Sequence, residues 1–447
     1  MDIIDLIIKS KIFFYVVVNI KGKCYNLSVM PTHTKKKFKT VALGCRTNQY
    51  EAQAFTDQLL ALGLTPAEGE EEADICVVNT CTVTASADKS SRHEIRQLAR
   101  RYPKAKIYVT GCYAERDPGT VGAIEGVAQV VPNAGKETLI EELFPDENVP
   151  EFSIKNFDAH TRAFVKVQDG CNSFCTYCII PYVRGRSRSR SMDDILKEVE
   201  DLVASGYREI VLTGINIGDF DGGGGHTLAD LVRLVDRVPG VERLRISSID
   251  PDEVDDDLLD SVVNGKNTCQ SMHIVLQSGS NVVLKRMNRK YTRHMFMESV
   301  ERLKKASPRF TFTTDIIVGF PGETEKDFQE TLDVMEEVKF AKVHMFPYSD
   351  RPRTRANLYP NKVSPDVINK RKQILLRRAE KISYDLRQNY IGETVWVLTE
   401  ARDSAEEIKG HTDNFLEVRI PSEDLRPNEL VKVQLIENTP TGLIGKR

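Results

Sequence analysis

Cys171-Asn172-Ser173-Phe174-Cys175-Thr176-Tyr177-Cys178 places three cysteines in a C-x3-C-x2-C pattern within one short loop. The loop directly follows a β-rich run, Phe164–Val167, and is therefore expected to begin at the end of a strand. Thiolates are the usual protein ligands of iron–sulfur clusters. Three of them leave one iron of a four-iron cube open to a cofactor. A zinc site is the alternative, but no fourth Cys or His lies nearby to complete a tetrahedron.

Six β-rich runs alternate with helical patterns over the region that follows Phe164. The runs are Phe164–Val167, Glu209–Leu212, Leu244–Ser247, His273–Leu276, Thr313–Val318 and Lys342–Phe346. The helical stretches include Met192–Ser205, Leu228–Val238, Thr292–Ala306 and Glu325–Val338. Serial strand–helix units predict a barrel or partial barrel, whose active site lies where the strands end. The cysteine loop follows the first strand and is expected at that end.

A shorter strand–helix alternation, from Phe38 to Phe144, predicts an α/β domain built on a parallel sheet. Cys45, Cys81 and Cys112 each follow a β-rich run in this region. Because the loops after parallel strands lie along one edge of the sheet, the three thiols are expected to converge. Three inert, buried cysteines are the alternative, but the shared structural position favours metal ligation. The remaining cysteines are interpreted as structural: Cys24, Cys76 and Cys269.

The C-terminal region differs in character. A basic helical pattern runs from Arg371 to Tyr390, and short β-rich runs follow Gly392. These runs are Thr394–Thr399, Phe415–Ile420, Leu430–Leu435 and Thr441–Gly445. They predict a small all-β module. Residues 145–160 are polar and aperiodic and contain two prolines, which is typical of a linker.

Length, charge and cysteine count limit the possible classes. A chain of 447 residues predicts two or three domains. The net charge of −3 excludes a globally basic nucleic-acid binder, so a nucleic-acid surface must be a local patch. Nine cysteines at mostly wide spacings do not suggest a secreted disulfide framework, and a reducing, cytoplasmic location is expected.

The N-terminus carries an apolar run from Ile12 to Val18, far shorter than the roughly 20 residues of a membrane-spanning helix. The segment opens with Asp2 and Asp5, unlike the basic start of a signal peptide. No membrane association is therefore expected. Met30 is a candidate start site, which would make residues 1–29 an upstream extension.

With both cysteine triplets considered, the sequence resembles the methylthiotransferase family of radical S-adenosylmethionine enzymes over about residues 38–447. Within that family it is similar to the branch that acts on threonylcarbamoyladenosine in tRNA. The matching stretches are Leu43-Gly44-Cys45-Arg46-Thr47-Asn48, Asn79-Thr80-Cys81-Thr82-Val83-Thr84, Gly111-Cys112-Tyr113-Ala114, Gln168-Asp169-Gly170-Cys171-Asn172 and Thr213-Gly214-Ile215-Asn216-Ile217-Gly218. The branches that modify isopentenyladenosine in tRNA or a ribosomal protein read differently at these places.

The resemblance implies a chain of the α/β class with three domains after an N-terminal extension at residues 1–37. An N-terminal parallel-sheet α/β domain at 38–150 would carry an auxiliary cluster. A central radical S-adenosylmethionine partial (βα)6, TIM-like barrel would occupy 157–387. A small C-terminal TRAM-like β-barrel at 388–447 would bind RNA. Two [4Fe–4S] clusters are implied, and their ligands would be Cys45, Cys81 and Cys112 for the auxiliary cluster and Cys171, Cys175 and Cys178 for the other.

The implied reaction adds a methylthio group to carbon 2 of N6-threonylcarbamoyladenosine at position 37 of tRNA. The hydrogen on that carbon is not acidic, so acid–base catalysis has little to act on. S-adenosyl-L-methionine bound to the open iron would supply a deoxyadenosyl radical, and a second molecule would supply the methyl group. The implied partners are the tRNA substrate, a low-potential electron donor of the flavodoxin or ferredoxin type, and a sulfur donor.

Contacts to S-adenosylmethionine are expected at the cysteine loop and the strand ends, where barrel active sites lie. The candidates are Tyr177, Thr213, Gly214, Ser247, Gln277, Asp315 and Gly319. An arginine run after the cysteine loop is interspersed with Gly and Ser, which leave the backbone able to follow a phosphate chain. We interpret it as an RNA contact rather than a solvated face. Its members are Arg184, Arg186, Arg188 and Arg190.

Two positions depart from the family pattern. Arg353 stands where family members often have glycine, and Glu115 stands where glutamine is common. The alternatives left open are the same chemistry on isopentenyladenosine tRNA or a ribosomal protein, a non-catalytic iron–sulfur redox sensor that binds RNA, and a zinc-binding RNA module.

Overall fold

The computed structural model describes residues 17–20, 23–26, 36–69, 71–157, 161–402 and 404–447. Most of the predicted extension at 1–37 and the last residues of the predicted linker lie outside this set. Two short strands, Val17–Ile20 and Lys23–Asn26, pair in antiparallel fashion. Cys24 belongs to the second of them, but its side chain lies outside the described residues.

A five-stranded parallel sheet forms the N-terminal part of the fold. In spatial order its strands are Thr65–Pro66, Lys37–Ala42, Ile75–Thr80, Lys106–Gly111 and Val127–Val130. The central strand is buried along its whole length, and Cys76 within it is fully buried in the core, as its structural interpretation expects. Because consecutive strands are parallel, the three strands that precede Cys45, Cys81 and Cys112 end at the same edge.

Six parallel strands form the central partial barrel. They are Arg162–Lys166, Glu209–Thr213, Arg243–Ile246, Ser271–His273, Thr311–Val318 and Lys342–Pro347, called the first to sixth barrel strands below. The first three and the last three form continuous sheets, and parallel bridges such as Ile249 with Ile274 join the third strand to the fourth. Cys269, just before the fourth strand, is 2% exposed.

A closed five-stranded barrel ends the chain. Its strands are Thr394–Arg402, Glu407–Thr412, Glu417–Pro421, Leu430–Thr439 and Gly442–Lys446. The strand Glu407–Thr412 escaped prediction because its sequence is polar and contains Gly410. A side chain at Gly410 would lie 2.1 Å from the carbonyl oxygen of Leu398, so glycine permits the close strand approach that closes the barrel.

The α-helices of the described residues cover both sheets. They are Arg46–Ala61, Ala85–Arg101, Cys112–Arg116, Pro118–Gly122, Leu139–Leu143, Ile180–Val183, Met192–Ala204, Leu228–Asp236, Asp256–Val263, Asn281–Arg286, Arg293–Ala306, Glu325–Val338 and Pro365–Gln388. Many begin after a Ser or Thr whose hydroxyl accepts a backbone N–H of the first turn, among them the helices capped by Thr84, Ser191 and Thr324. No helix among the described residues is long and apolar enough to cross a membrane.

The N-terminal helix Arg46–Ala61 joins the first two parts of the molecule. Its Tyr50 and Ala54 belong to the same buried apolar cluster as the barrel strands. The Tyr50 hydroxyl donates to Glu198 of the barrel at 2.7 Å. The helix begins at Arg46, directly after the first thiol of the α/β domain. Cys45 consequently sits at the helix start.

The C-terminal barrel is held to the central barrel mainly by main-chain carbonyl groups. Arg243 donates to the carbonyl oxygens of Trp396 and His411 at 2.8 and 2.7 Å. Arg245 donates to those of Thr412 and Asp413, each at 2.8 Å. Both arginines come from the third barrel strand, so the docking lies beneath the barrel rather than at the ends of its strands. The α/β class and the three-part architecture predicted from the sequence are confirmed.

Candidate functional site

The first thiol triplet forms where three neighbouring strands end. Cys81 follows the strand Ile75–Thr80, and Cys112 follows Lys106–Gly111. Gly44, just before Cys45, has φ +98°, and a side chain there would lie 2.7 Å from the Sγ of Cys81. Glycine at this position thus allows the backbone to pass directly beside the second thiol. The structure brings the three predicted thiols together at one edge of the sheet.

Burial favours the protonated thiol at two members of this triplet, Cys81 and Cys112. It raises the pKa of Cys81 to about 12 and also raises the pKa of Cys112. Only a thiolate ligates iron, so metal binding here has to release these protons. Cys45 is exposed, which leaves one side of the triplet accessible.

Arg184 lies against this triplet from the barrel side. Its guanidinium Nε donates to the Sγ of Cys112 at 3.3 Å. It is paired with Glu51 at 3.0 Å and with Asp169 at 2.8 Å, and its side chain is 0% exposed. The prediction that Arg184 contacts RNA is therefore wrong, because its guanidinium is sealed between two carboxylates and a thiol.

A buried ionic cluster surrounds Arg184 at the boundary between the α/β domain and the barrel. Burial by itself would raise the pKa of Glu51, but Arg184, Lys136 and Lys166 hold it well below its usual range. Lys136 also lies 3.4 Å from Asp169. Removing one member of such a cluster leaves buried charge uncompensated, which costs about 3–5 kcal/mol. The cluster fixes the α/β domain on the barrel in one orientation.

The second thiol triplet is built by a single loop. The backbone N–H of Cys178 donates to the carbonyl of Cys175 at 3.0 Å, and that of Ser173 donates to the Sγ of Cys171 at 3.3 Å. Arg289 donates to the Sγ of Cys175 at 3.0 Å and is held by Asp250. Burial raises the pKa values of Cys171 and Cys178.

A small apolar cluster joins the two triplets. Cys112 packs with Ile179, Ile180 and Val183, and Cys171 and Cys178 pack against the same cluster. This packing brings Cys112 of the first triplet close to the loop triplet at the boundary between the α/β domain and the barrel. The eight cysteines whose side chains the structure describes form no disulfides.

Donor chemistry and spacing bear on the type of metal that the thiols could hold. Within the described ranges, no three Cys, His, Asp or Glu side chains are placed to hold a single metal ion. The thiolates of a cubane cluster bind different iron atoms and need not meet at one point. Thiolates are the usual protein ligands of iron–sulfur clusters, so the donor chemistry of both triplets fits such clusters.

The residues predicted to contact S-adenosylmethionine lie around the second triplet and the strand ends. Thr213 ends the second barrel strand with Gly214 behind it, and Ser247 directly follows the third. Buried oxygens of Ser247 (Oγ) and Gln277 (Oε1) have no hydrogen-bond partner among the described residues. Gln277 also has φ +60°, an uncommon conformation that recurs at binding sites. Unpaired buried oxygens fit a polar cofactor in this position.

The other three candidates differ in position. Gly319 directly follows the fifth strand with φ +79°, and Tyr177 packs edge-on against Phe320. Asp315 lies inside the fifth strand rather than at its end, and its carboxylate is 3.4 Å from Nε2 of His273. Asp315 thus faces the interior of the barrel, below the level of the strand ends.

The remaining three arginines of the run are more accessible than Arg184. Arg186 is exposed and stacks over the ring of Phe174 at 4.3 Å from its centroid. Arg188 has a half-exposed side chain that also reaches Asp169 at 3.0 Å. Arg190 is largely covered and pairs with Glu198, so it serves the domain interface. Arg186 and Arg188 are the members free to meet a phosphate.

Both departures from the family pattern have structural settings. Arg353 has φ +71°, a left-handed conformation that favours glycine, which explains why glycine is common there. The neighbouring Arg351 bonds Asp88 at 2.7 Å and so ties this loop to the α/β domain. Glu115 accepts the backbone N–H of Asn133 at 2.8 Å, a contact to which a glutamine side-chain oxygen is equally suited.

Sequence reasoning missed several residues of the site. Arg289, Asp250 and Glu51 belong to no motif, since their roles arise from contacts between residues distant in sequence. Asp169 and Arg184 lay in quoted motifs, but a sequence of alternating arginines does not show which member is buried. The role of a buried carboxylate can be recognised only once the structure shows which cationic side chains surround it.

Comparisons with known proteins agree with this architecture. Residues 165–335 match the radical SAM superfamily, and residues 37–132 match a family described as uncharacterized protein family UPF0004. A solved structure of the radical S-adenosylmethionine methyltransferase TsrM from Kitasatospora setae, with cobalamin and a [4Fe–4S] cluster bound, superposes with a TM-score of 0.52. It covers 70% of this chain and 75% of that one at 14% identity, a likeness of fold alone.

Curated relatives match nearly the whole chain. The threonylcarbamoyladenosine tRNA methylthiotransferase MtaB of Chlamydia pneumoniae is 48% identical, over 92% of this chain and 98% of its own length. The MtaB of Bacillus subtilis is 38% identical over 88% and 92%. The tRNA-2-methylthio-N(6)-dimethylallyladenosine synthase of Clostridium perfringens is 34% identical over 92% and 98%. This chain belongs to the methylthiotransferase family of radical S-adenosylmethionine enzymes, with a [4Fe–4S] cluster and S-adenosylmethionine as its cofactors.

Proposed function

We propose that this protein adds a methylthio group to carbon 2 of N6-threonylcarbamoyladenosine at position 37 of tRNA. The observation that carries the proposal is the placement of two separate cysteine triplets against one apolar cluster. Reductive cleavage of S-adenosylmethionine needs one cluster. The second cluster would deliver sulfur to carbon 2 of the adenosine. The MtaB relatives supply the choice of substrate.

The proposed cofactors are two [4Fe–4S] clusters. Cys171, Cys175 and Cys178 would hold the radical cluster, and Cys45, Cys81 and Cys112 the auxiliary cluster. When bound, the clusters and S-adenosylmethionine supply electrons, a carbon radical, sulfur and a methyl group. The chain itself supplies burial: Cys81 and Cys112 are each less than a tenth exposed, which excludes water from the interior side of the site.

The chain's polar side chains would bind and orient the cofactor. Ser247 and Gln277 offer unpaired oxygens just after the third and fourth barrel strands. Thr213, Gly214, Gly319 and Tyr177 would line the same position. Arg289 lies between Cys175 and Asp250, and it balances negative charge that builds up on a thiolate ligand.

The tRNA would approach the side on which Cys45 is exposed. Arg186 and Arg188 are available for its phosphates. The C-terminal barrel would add a second contact, since its Trp396 is half-exposed and every base has a face for stacking. A low-potential electron donor of the flavodoxin or ferredoxin type and a sulfur donor complete the proposed partners. A tRNA substrate would be available in the cytoplasm, which is the proposed location of the protein.

The proposed reaction is tested with cluster-reconstituted protein, S-adenosylmethionine, a reductant and a sulfide source. Three anticodon stem-loops would be compared, with threonylcarbamoyladenosine, isopentenyladenosine or unmodified adenosine at position 37. Mass spectrometry of the digested nucleosides is expected to show a methylthio product for the first RNA. A methylthio product from the isopentenyladenosine RNA alone would show that isopentenyladenosine is the substrate instead.

A second arm separates the enzyme from a redox sensor. Reduction without RNA is expected to cleave S-adenosylmethionine to deoxyadenosine, and a Cys171→Ala, Cys175→Ala, Cys178→Ala variant gives the blank. An intact cofactor after reduction of wild-type protein would favour a non-catalytic sensor. Cleavage without a methylthio product on any of the three RNAs would point to the branch that modifies a ribosomal protein.

A further inference from the structure

The interior face of the partial barrel carries an unusual number of ionisable side chains. His273 and Asp315 lie 3.4 Å apart on this face, and Nδ1 of His273 bonds the Thr313 hydroxyl at 2.9 Å. The ring of His344, on the sixth strand opposite Asp315, lies 5.7 Å from that of His273. These side chains make one region of the barrel interior polar, and this region is called the chamber below.

Most cations around this chamber are paired with carboxylates. Arg245 pairs with Glu209 at 2.7 Å. Arg162 pairs with Glu400 of the C-terminal barrel at 3.2 Å. These pairs close the lower end of the chamber, where the C-terminal barrel docks.

Arg46 is the exception. It follows Cys45 directly and its guanidinium reaches the barrel interior, 5.4 Å from the centroid of the Phe164 ring. It is half-buried. Burial and the charges of Arg162 and Arg245 lower its pKa to about 10, and the carboxylates of Glu209 and Asp315 act in the opposite direction. Among the residues that the structure describes, none forms a hydrogen bond or ion pair with its guanidinium.

The position of Arg46 adds to its electrostatic cost. It is the first residue of the helix Arg46–Ala61, where the helix dipole disfavours a cation. Nε2 of His273 is buried, and its contact among the described residues is the Asp315 carboxylate at 3.4 Å. An anionic group that entered the chamber would pair with the Arg46 guanidinium.

The two tRNA substrates named among the relatives differ in this respect. A threonylcarbamoyl group ends in a carboxylate and a hydroxyl, whereas a dimethylallyl group is a hydrocarbon. We propose that Arg46 binds the carboxylate of the threonylcarbamoyl group and thereby selects this substrate over uncharged N6-modified adenosines. The inference rests on the proposed function and assigns its specificity to one residue beside the auxiliary thiols.

The test measures RNA binding and needs no turnover. Cluster-reconstituted wild type, Arg46→Gln and Arg46→Lys are titrated with three anticodon stem-loops. The stem-loops carry threonylcarbamoyladenosine, its methyl ester or unmodified adenosine. Arg233→Gln is the matched control, because Arg233 pairs with Asp257 and Asp260 on a helix of the outer surface. Iron content and the electron paramagnetic resonance of both clusters are recorded for every variant.

Wild type is expected to bind the free carboxylate at least about tenfold more tightly than the ester, the range for a hydrogen bond to a charged group. Arg46→Gln is expected to lose this ratio and to bind unmodified RNA like wild type, while Arg46→Lys keeps part of it. Equal binding of acid and ester by wild type would overturn the inference, whatever happens to the variants. An unchanged ratio in Arg46→Gln would overturn it as well.

The outcomes separate this inference from the proposed function. In one outcome, wild type methylthiolates the threonylcarbamoyladenosine RNA while Arg46→Gln keeps the same ratio of acid to ester affinity. That result would support the proposed function and show that Arg46 does not select the substrate. Failure of wild type to methylthiolate that RNA would contradict the proposed function, whatever the binding ratio. A changed auxiliary-cluster spectrum in Arg46→Gln with an unchanged ratio would assign the guanidinium to the cluster, and it would reject the substrate role.

Discussion

Cys171, Cys175 and Cys178 come from one loop of eight residues, whereas Cys45, Cys81 and Cys112 come from three neighbouring strands of a sheet. The loop carries its own hydrogen bonds, such as that from Cys178 to Cys175. The other triplet exists only when the whole sheet has formed. One site is thus encoded locally and the other by the packing of a domain.

Each triplet has an arginine that donates to one sulfur. The two arginines differ in whether they belong to the same domain as that sulfur. Arg289 and Cys175 both belong to the barrel. Arg184 belongs to the barrel, but its sulfur, Cys112, belongs to the α/β domain. The auxiliary thiols are therefore completed by an interface, and a disturbance of domain packing should reach them before it reaches the loop.

The largest expected effect comes from removing either triplet. Two four-iron clusters hold about eight irons per chain, and replacement of Cys45, Cys81 and Cys112 by alanine is expected to leave about four. Replacement of the loop cysteines should do the same. Iron and labile sulfide would be counted after anaerobic purification. About four irons in both wild type and the first variant would contradict the auxiliary cluster.

A single substitution should disrupt only the triplet of Cys45, Cys81 and Cys112, because that triplet depends on the sheet. Gly44→Ala places a methyl group 2.7 Å from the Cys81 sulfur, so loss of the auxiliary cluster and retention of the radical cluster are expected. Gly206→Ala is the matched control. Gly206 has φ +97° but open space around it, so it imposes the same kind of strain without the collision. Equal iron content in the two variants would show that crowding at Gly44 is harmless.

Exchange of the two arginines for lysine sharpens the comparison further. Arg184→Lys and Arg289→Lys keep the positive charge but shorten the side chain, so the hydrogen bond to sulfur is lost. Each is expected to lower the midpoint potential of its own cluster by about 30–60 mV, up to a tenfold change in a one-electron equilibrium. Redox titration followed by electron paramagnetic resonance would measure both clusters. A shift of the other cluster in either variant would contradict the assignment.

The smallest effect is expected in the barrel loop that contains Arg351 and Arg353 and contacts the α/β domain through Asp88. Arg353→Gly removes a left-handed arginine and should raise the free energy of unfolding by about 0.5–1 kcal/mol. Arg355→Gly, in an adjacent 3-10 turn with ordinary backbone angles, should lower it by a similar amount. Urea unfolding of the two variants would be compared. Destabilisation by both would show that the Arg353 side chain has a stabilising contact that outweighs its strain.

Much of the fold was predictable because strand–helix alternation is repeated many times. The six barrel strands were located within a few residues, and three cysteines at three strand ends predicted their own convergence. Sequence periodicity reports burial and hydrogen bonding along the chain. It therefore identifies the elements that position the thiols.

The side-chain contacts across domains were beyond sequence reasoning. Arg184 looked like its neighbours Arg186 and Arg188, and only the fold buried it between Glu51 and Asp169. Asp315 was proposed with the strand-end residues as a cofactor contact, but it lies within the fifth strand and its carboxylate is beside His273. Contacts of this kind depend on relative element lengths and domain orientation, which one sequence does not specify.

Arg243 and Arg245 hold the C-terminal barrel by its backbone carbonyl oxygens. Every amino acid provides that oxygen, so the side chains of Trp396 and Asp413 can change without removing these hydrogen bonds. Selection can thus reshape the outer surface of the module while its seat on the barrel stays the same. The same property would let an engineer exchange the module for one with a different surface, provided that the new backbone follows the same course.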